Sequence, residues 1–233
     1  VDFSFCRPLQ QLIVSQRVIG RTGKVFDGLS GLTTTNSLQV LRSLMLELKP
    51  ASTLEVGLSF GGSAMTIAAT HRDLDRAANR QHIAIDPYQR TVWDSTGIAA
   101  LEQAGLQDYV ELREQFSAIA LAELTAQGRS FDLIYVDGSH RFDDVFVDAY
   151  FGVRLLAPNG VIVFDDSATT EVGSVLRFVG KNLSEWVTEF DLSPYRNSDV
   201  SWQYMLAKRL GRIQLRAFRR IGDEPEWNAR LRL

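Results

Sequence analysis

The stretch that decides the fold runs from Leu54 to Ala64, LEVGLSFGGSA. A short apolar run, Thr53 to Val56, carries an acidic residue, Glu55, two places ahead of Gly57, and small residues follow at once. Strand, glycine-rich turn and helix in that order is how an open parallel sheet presents a ligand loop at the carboxyl end of a strand. Gly57, Gly61 and Gly62 let a backbone approach a ligand closely, and Ser63 is placed to cap the next helix. A dinucleotide loop would read GxGxxG. Here Ser59 replaces the second glycine, which serves a pyrophosphate poorly and disfavours a nicotinamide-dependent oxidoreductase.

Outward from this loop, short apolar runs alternate with longer amphipathic segments, without repeats or low-complexity tracts. Strands are expected at Thr53 to Val56, His82 to Asp86, Tyr109 to Leu112, Phe131 to Asp137, Val161 to Asp165, Trp186 to Leu192 and Val200 to Ala207. Between Asp137 and Val161, Phe142, Val145, Phe146, Ala149, Val153 and Leu156 recur at helical spacing, leaving Asp143, Asp144 and Asp148 for water. Pro158-Asn159-Gly160 then reads as the turn into VIVF, whose unbroken apolar character suits a strand covered on both faces. Ser37 to Lys49 reads as a helix behind the cap candidates Thr34, Thr35 and Asn36. The pattern predicts a doubly wound, mostly parallel seven-stranded α/β sheet. The last two strands, joined by Ser193-Pro194-Tyr195-Arg196-Asn197 without a clear helix, are expected to pair antiparallel.

Composition narrows the class. At 233 residues, 45% hydrophobic and 23% charged, the chain is ordinary globular material. A net charge of −3 gives no reason to expect nucleic-acid binding. No run of about 18 apolar residues and no secretory leader pattern is present, so a cytoplasmic protein without an integral membrane segment is expected. Numbering starts at Val1 rather than Met, which is compatible with a longer natural chain. The lone Cys6 reads as packing filler. Lys208 to Arg220, KRLGRIQLRAFRR, is basic with apolar residues interleaved; it reads as a solvated helix or an arm at a subunit contact, which allows a homo-oligomer, or else as a surface for an anionic partner or a membrane surface.

Glu55-x-Gly57-x-x-x-Gly61-x-Ser63 resembles the first motif of class I S-adenosylmethionine (SAM) dependent methyltransferases, in the form used by catechol-type O-methyltransferases. Other positions agree with the resemblance. Asp86, closing HIAID, falls where the family holds the ribose hydroxyls; AGLQD, Ala104 to Asp108, resembles the entry to the third strand; Ser117 falls where the subgroup has an adenine-contacting serine. The resemblance runs from about Ser37 to Asp166. It implies a Rossmann-like methyltransferase fold and a SAM site drawn from Glu55, Gly57, Ser59, Gly61, Ser63, Asp86, Ser117 and Asp137. Read from the residues alone, Glu55 is also suited to ordering the loop by accepting backbone N–H groups.

FDLIYVDGSH ends one strand with Asp137, and VIVFDD ends the next with Asp165 and Asp166. Adjacent parallel strands would gather the three carboxylates at one edge, where they repel one another unless a cation binds or some are protonated. Oxygen ligands of this kind suit Mg²⁺ or a similar hard ion. The plainer reading makes Asp166 a cap for the helix that begins near Thr170. In the family resembled, residues at these positions bind a divalent ion that chelates the acceptor. His140, three residues after Asp137, matches the histidine of some metal-dependent sugar O-methyltransferases and is expected to be the general base; the plainer reading is a residue at a helix start. His71 and His82 have no acidic partner at useful sequence spacing and read as structural.

These readings make the protein a SAM-dependent O-methyltransferase acting on a hydroxyl of a small molecule or sugar, with a non-catalytic SAM-fold binding or scaffold protein as the alternative. Its organisation would be residues 1–35 as a substrate-covering cap, 36–207 as the SAM-binding domain and 208–233 as a basic tail. Acceptor choice would rest on the N-terminal segment and the loops after the later strands.

Overall fold

The computed structural model describes residues 2–75, 81–196 and 213–224. Two compact units divide the chain, Val1–Phe116 and Ser117–Leu233.

The first unit opens with helix α1 (Arg7–Ser15), with a proline in its first turn, and a two-stranded antiparallel hairpin, β1 (Arg17–Ile19) and β2 (Val25–Asp27). Phe3, Leu9 and Leu12 of this segment enter the unit's hydrophobic core, so residues before 35 are built into it. Asp94 fastens the hairpin by accepting from the Thr22 amide and hydroxyl, both at 2.9 Å. Helix α2 (Thr35–Leu48) starts where the capping residues predict: Thr34 Oγ accepts from the Ser37 amide, and Leu38, Leu41, Leu44 and Met45 face inward. Then come β3 (Thr53–Val56), α3 (Gly62–Asp73), β4 (His82–Ile85), α4 (Thr96–Gln103), a 3₁₀ turn (Gln107–Tyr109) and β5 (Val110–Arg113). Every residue of β3 and β4 is buried, Thr53, Glu55 and His82 included, as in strands covered on both faces.

The second unit holds α5 (Ser117–Ala126), β6 (Phe131–Val136), α6 (Phe142–Arg154), β7 (Leu156–Phe164), α7 (Thr170–Asn182), β8 (Val187–Phe190), a 3₁₀ turn (Ser193–Tyr195) and β9 (Arg216–Arg220). The seven-stranded sheet has the order β5-β4-β3-β6-β7-β9-β8. Pairs β3–β4, β4–β5 and β6–β7 are parallel, whereas β9 runs antiparallel to both neighbours, β7 and β8. This is the doubly wound, mostly parallel sheet with an antiparallel last strand that the alternating pattern predicts. No described helix is long and apolar enough to cross a membrane.

The strand expected at Val200 to Ala207 lies outside the described residues. Four other expectations need correction here. The antiparallel partner of β8 comes from 216–220, inside the stretch read as a solvated basic arm. Ala217 and Phe218 are fully buried, Arg216 reaches Glu189 at 3.0 Å, and the Arg220 guanidinium donates to the Leu156 carbonyl at 2.6 Å. Pro158-Asn159-Gly160 does not end α6; the helix stops at Arg154, and the three residues lie within β7, where Asn159 takes φ 63° and the pairing register with β6 shifts. Asp148, read as facing water, is 1% exposed, because α6 packs against both α5 and α7 and so has two covered sides. Phe142, read as core, is 50% exposed on the first turn of α6 and stacks on Phe146.

Candidate functional site

In the first unit the chain leaves β3 at Gly57 and turns through Ser59 and Gly61, all with positive φ. At Gly61 the requirement is strict: φ is 82°, and a Cβ there would lie 3.2 Å from the Gly97 carbonyl oxygen. Ser59 adopts φ 47° in the place of a second glycine, and its hydroxyl donates to the Gly31 carbonyl at 2.8 Å. The loop is therefore held from the N-terminal segment as well as from the sheet.

Asp86, just past β4, is 4% exposed and organises this loop. Its Oδ2 accepts from the Ser59 amide (2.8 Å), the Gln89 side-chain nitrogen (2.9 Å) and, at longer range, the Leu58 amide (3.3 Å). Oδ1 accepts from the Tyr88 amide at 2.8 Å. Gln89 also donates to the Ser59 carbonyl at 2.8 Å and is fully buried. Nothing in the sequence marks Gln89 except its place three residues after an acid. Tyr88 and Phe116 stand edge to face with ring centroids 5.9 Å apart, and both are largely exposed.

Glu55 does not order the loop. Its carboxylate is fully buried, and the loop amides go to Asp86 instead. His82 Nε2 lies 3.3 Å from Glu55 Oε1, so His82 does have an acidic partner; parallel register, invisible to sequence spacing, brings it there. Thr53 Oγ lies 3.0 Å from His82 Nδ1 and 2.9 Å from His71 Nε2. A proton on His82 Nε2, facing the carboxylate, makes Nδ1 the acceptor of the Thr53 hydroxyl, which in turn accepts from His71 Nε2–H. All four side chains are fully buried. Ser63 is not a cap: α3 starts at Gly62 behind Gly61, leaving Ser63 buried in the first turn.

In the second unit, Asp137 follows β6, while Asp165 and Asp166 follow β7. Ligand atoms of Asp137, His140 and Asp166 all lie within 4.8 Å of one another, a donor set suited to a divalent ion. Asp165 does not belong to that set. It is 5% exposed and turned inward, with Oδ2 accepting from Tyr135 at 2.5 Å and Oδ1 from the Asp166 amide at 2.8 Å and Gln214 at 2.6 Å. Burial pushes its carboxyl above the usual range, against these hydrogen bonds. Of the expected trio Asp137, Asp165 and Asp166, the structure thus brings Asp137 and Asp166 to ligand distance, in company with His140, and turns Asp165 inward.

His140 Nε2 lies 2.9 Å from Asp166 Oδ2. That hydrogen bond raises the imidazole pKa, and Asp166, Asp137 and Asp165 add to it electrostatically against the opposing effect of burial. Asp166 is lowered in turn, first by its bond to His140. Asp166 does not cap α7 with its side chain; its backbone carbonyl accepts from the Thr169 amide, and its carboxylate serves His140 and Gln214. Ser117 opens α5, half-buried, and its hydroxyl faces the Asp148 carboxylate, whose oxygens otherwise have no partner of good geometry among the described residues.

Residues 54–167 match the family model of a methyltransferase domain. Among solved structures, the chain is similar to an O-methyltransferase from Bacillus cereus in complex with SAH (17% identity, 82% of this chain and 84% of that one, TM-score 0.60). It is similar as well to the O-methyltransferase TomG from Streptomyces achromogenes, involved in tomaymycin synthesis and in complex with SAM (16% identity, 96% and 91% covered, TM-score 0.62). The SAH-bound methyltransferase PaMTH1 from Podospora anserina is a third (16% identity, 94% and 88% covered, TM-score 0.55). No curated protein matches the chain at a significant level. Sheet order and these likenesses define the fold, that of the class I methyltransferases, and residues 54–167 match a methyltransferase domain. The matched stretch runs from the glycine loop to the acidic residues after β7.

Proposed function

We propose that this protein is an O-methyltransferase that moves the methyl group of SAM to a hydroxyl of a small molecule or sugar, with a divalent cation holding the acceptor. The observation that carries the reading is the convergence of Asp137, His140 and Asp166 to ligand distance in a methyltransferase domain. Glycine-loop amides and Asp86 would hold the donor: Oδ1 of Asp86 takes one protein hydrogen bond and keeps a lone pair for a ribose hydroxyl. Tyr88 and Phe116 offer aromatic surface for the purine. Likeness to O-methyltransferases of known structure supports oxygen as the acceptor atom.

Asp137 and Asp166 would hold the cation, which when bound would lower the pKa of an acceptor hydroxyl, with His140 beside them as the base. With Nε2–H donating to Asp166, Nδ1 is the His140 nitrogen left to accept the proton. With its pKa raised by Asp166, the ring holds a proton at low pH, so base function is expected only once the pH exceeds that raised value. Asp166 orients the ring and stabilises its cation, while Tyr135 and Gln214 keep Asp165 out of the way. The sulfonium donor is already activated, so alignment supplies much of the rate.

Two measurements test this. Calorimetry should show SAM binding in the presence of chelator, and turnover on a panel of phenols and sugars should vanish in EDTA and return with Mg²⁺. Full turnover in chelator would remove the cation from the proposal.

A further inference from the structure

Gln214, two residues before β9, ties the acidic end of the second unit to the last strand. Its side-chain nitrogen donates to Asp165 Oδ1 and Asp166 Oδ1, both at 2.6 Å. Ionised carboxylates only accept, so the amide nitrogen must face them, and its two N–H groups match the two oxygens. The backbone around it is pinned too: the Ser167 amide donates to the Gln214 carbonyl at 2.9 Å, and the Ser167 hydroxyl lies 2.5 Å from the Ile213 carbonyl and 3.0 Å from that of Gln214.

Two carboxylates on consecutive residues repel, and a free Asp166 side chain would rotate away from Asp165. Gln214 bonds both at once. With Oδ1 engaged by the amide, Asp166 presents Oδ2 toward His140 at 2.9 Å, within the cluster where Asp137, His140 and Asp166 converge. Asp165, bridged by the same amide and by Tyr135, stays turned inward.

We propose that Gln214 is a positioning residue for the cation site: the C-terminal strand, through one amide, presets the carboxylate geometry in which the site accepts a divalent ion. The inference rests on reading Asp137, His140 and Asp166 as that site. Groups that orient metal ligands through hydrogen bonds typically change metal affinity by about 10- to 100-fold when removed.

The test is Mn²⁺ binding followed by electron paramagnetic resonance on the full chain, without SAM or acceptor, for the unaltered protein, Gln214→Met and Asp166→Ala. Methionine keeps the volume and removes both donors. Mn²⁺ should bind the unaltered protein, bind Gln214→Met about 10- to 100-fold more weakly, and fail to bind Asp166→Ala. A purely structural Gln214 would lower the melting temperature and leave Mn²⁺ affinity where it was; that result overturns the inference alone. Absence of binding by the unaltered protein overturns the cation reading, and the inference with it. Should Gln214→Met lose its melting transition, Gln214→Asn, which keeps the donor but shortens its reach, is read by the same criterion.

Discussion

Asp148 is a carboxyl group shut inside the second unit, and burial raises its pKa to about 7, against the hydrogen bond from Ser117. A carboxyl whose folded pKa lies above its unfolded value adds stability below the unfolded value, and that contribution is lost as pH climbs through the folded one. Stability should therefore decline between about pH 4 and pH 7, by at most on the order of 4 kcal/mol. Asp148→Asn should flatten this decline and melt higher than the parent at pH 8; parallel melting curves for the two proteins across that range would show the carboxyl to be solvated. His140 raises a different question, because one ring is within reach of both a cation and an acceptor proton. As the base, its replacement by alanine should cut turnover by ~10² to 10⁴ and leave Mn²⁺ affinity in place. A fall in affinity that matches the fall in turnover would make it a ligand instead. Asp86→Ala should weaken SAM binding at least tenfold by calorimetry, through the ribose and through the loop amides released from Oδ2.

Besides the ladder between β3 and β4, one hydroxyl, that of Thr53 in β3, lies between His71 of α3 and His82 of β4. Thr53→Val keeps the shape and takes a partner from each buried ring, so unfolding in urea should show a loss of about 2 kcal/mol or more with no change in m-value. Such a contact cannot be read along the chain, since its members come from 53, 71 and 82 and meet only through parallel register. Period-based reading succeeds where burial is near uniform: β3, β4, β6 and the VIVF half of β7 are mostly apolar because both faces are covered. It fails at α6, where helical spacing assigns Asp148 to water although two helices flank α6. It fails again at β9, whose RAFRR spelling suggests a solvated arm; Glu189 and the Leu156 carbonyl engage two of its three arginines, and the third, Arg219, lies over the Phe190 ring at 4.2 Å. At the acidic cluster the sequence placed Asp137, His140 and Asp166 in one neighbourhood. It gave no sign that Asp165 turns inward, because Tyr135 and Gln214, which turn it, look like ordinary strand and tail residues.

The seven strands are not laid down in the order in which they lie. β9, from residues 216–220, separates β7 from β8, and among the described strands β8 pairs with β9 alone. A chain emerging during synthesis therefore completes β7 and β8 well before either can bond to what lies between them. For that interval β7 offers an open row of amides and carbonyls, the kind of edge that recruits strands from other chains. Refolding from denaturant should consequently lose yield as protein concentration rises, and a synthetic peptide covering 213–224, added in excess, should compete for the gap and recover part of it. A yield indifferent to concentration would mean that β7 and β8 stay apart and shielded without their intervening strand.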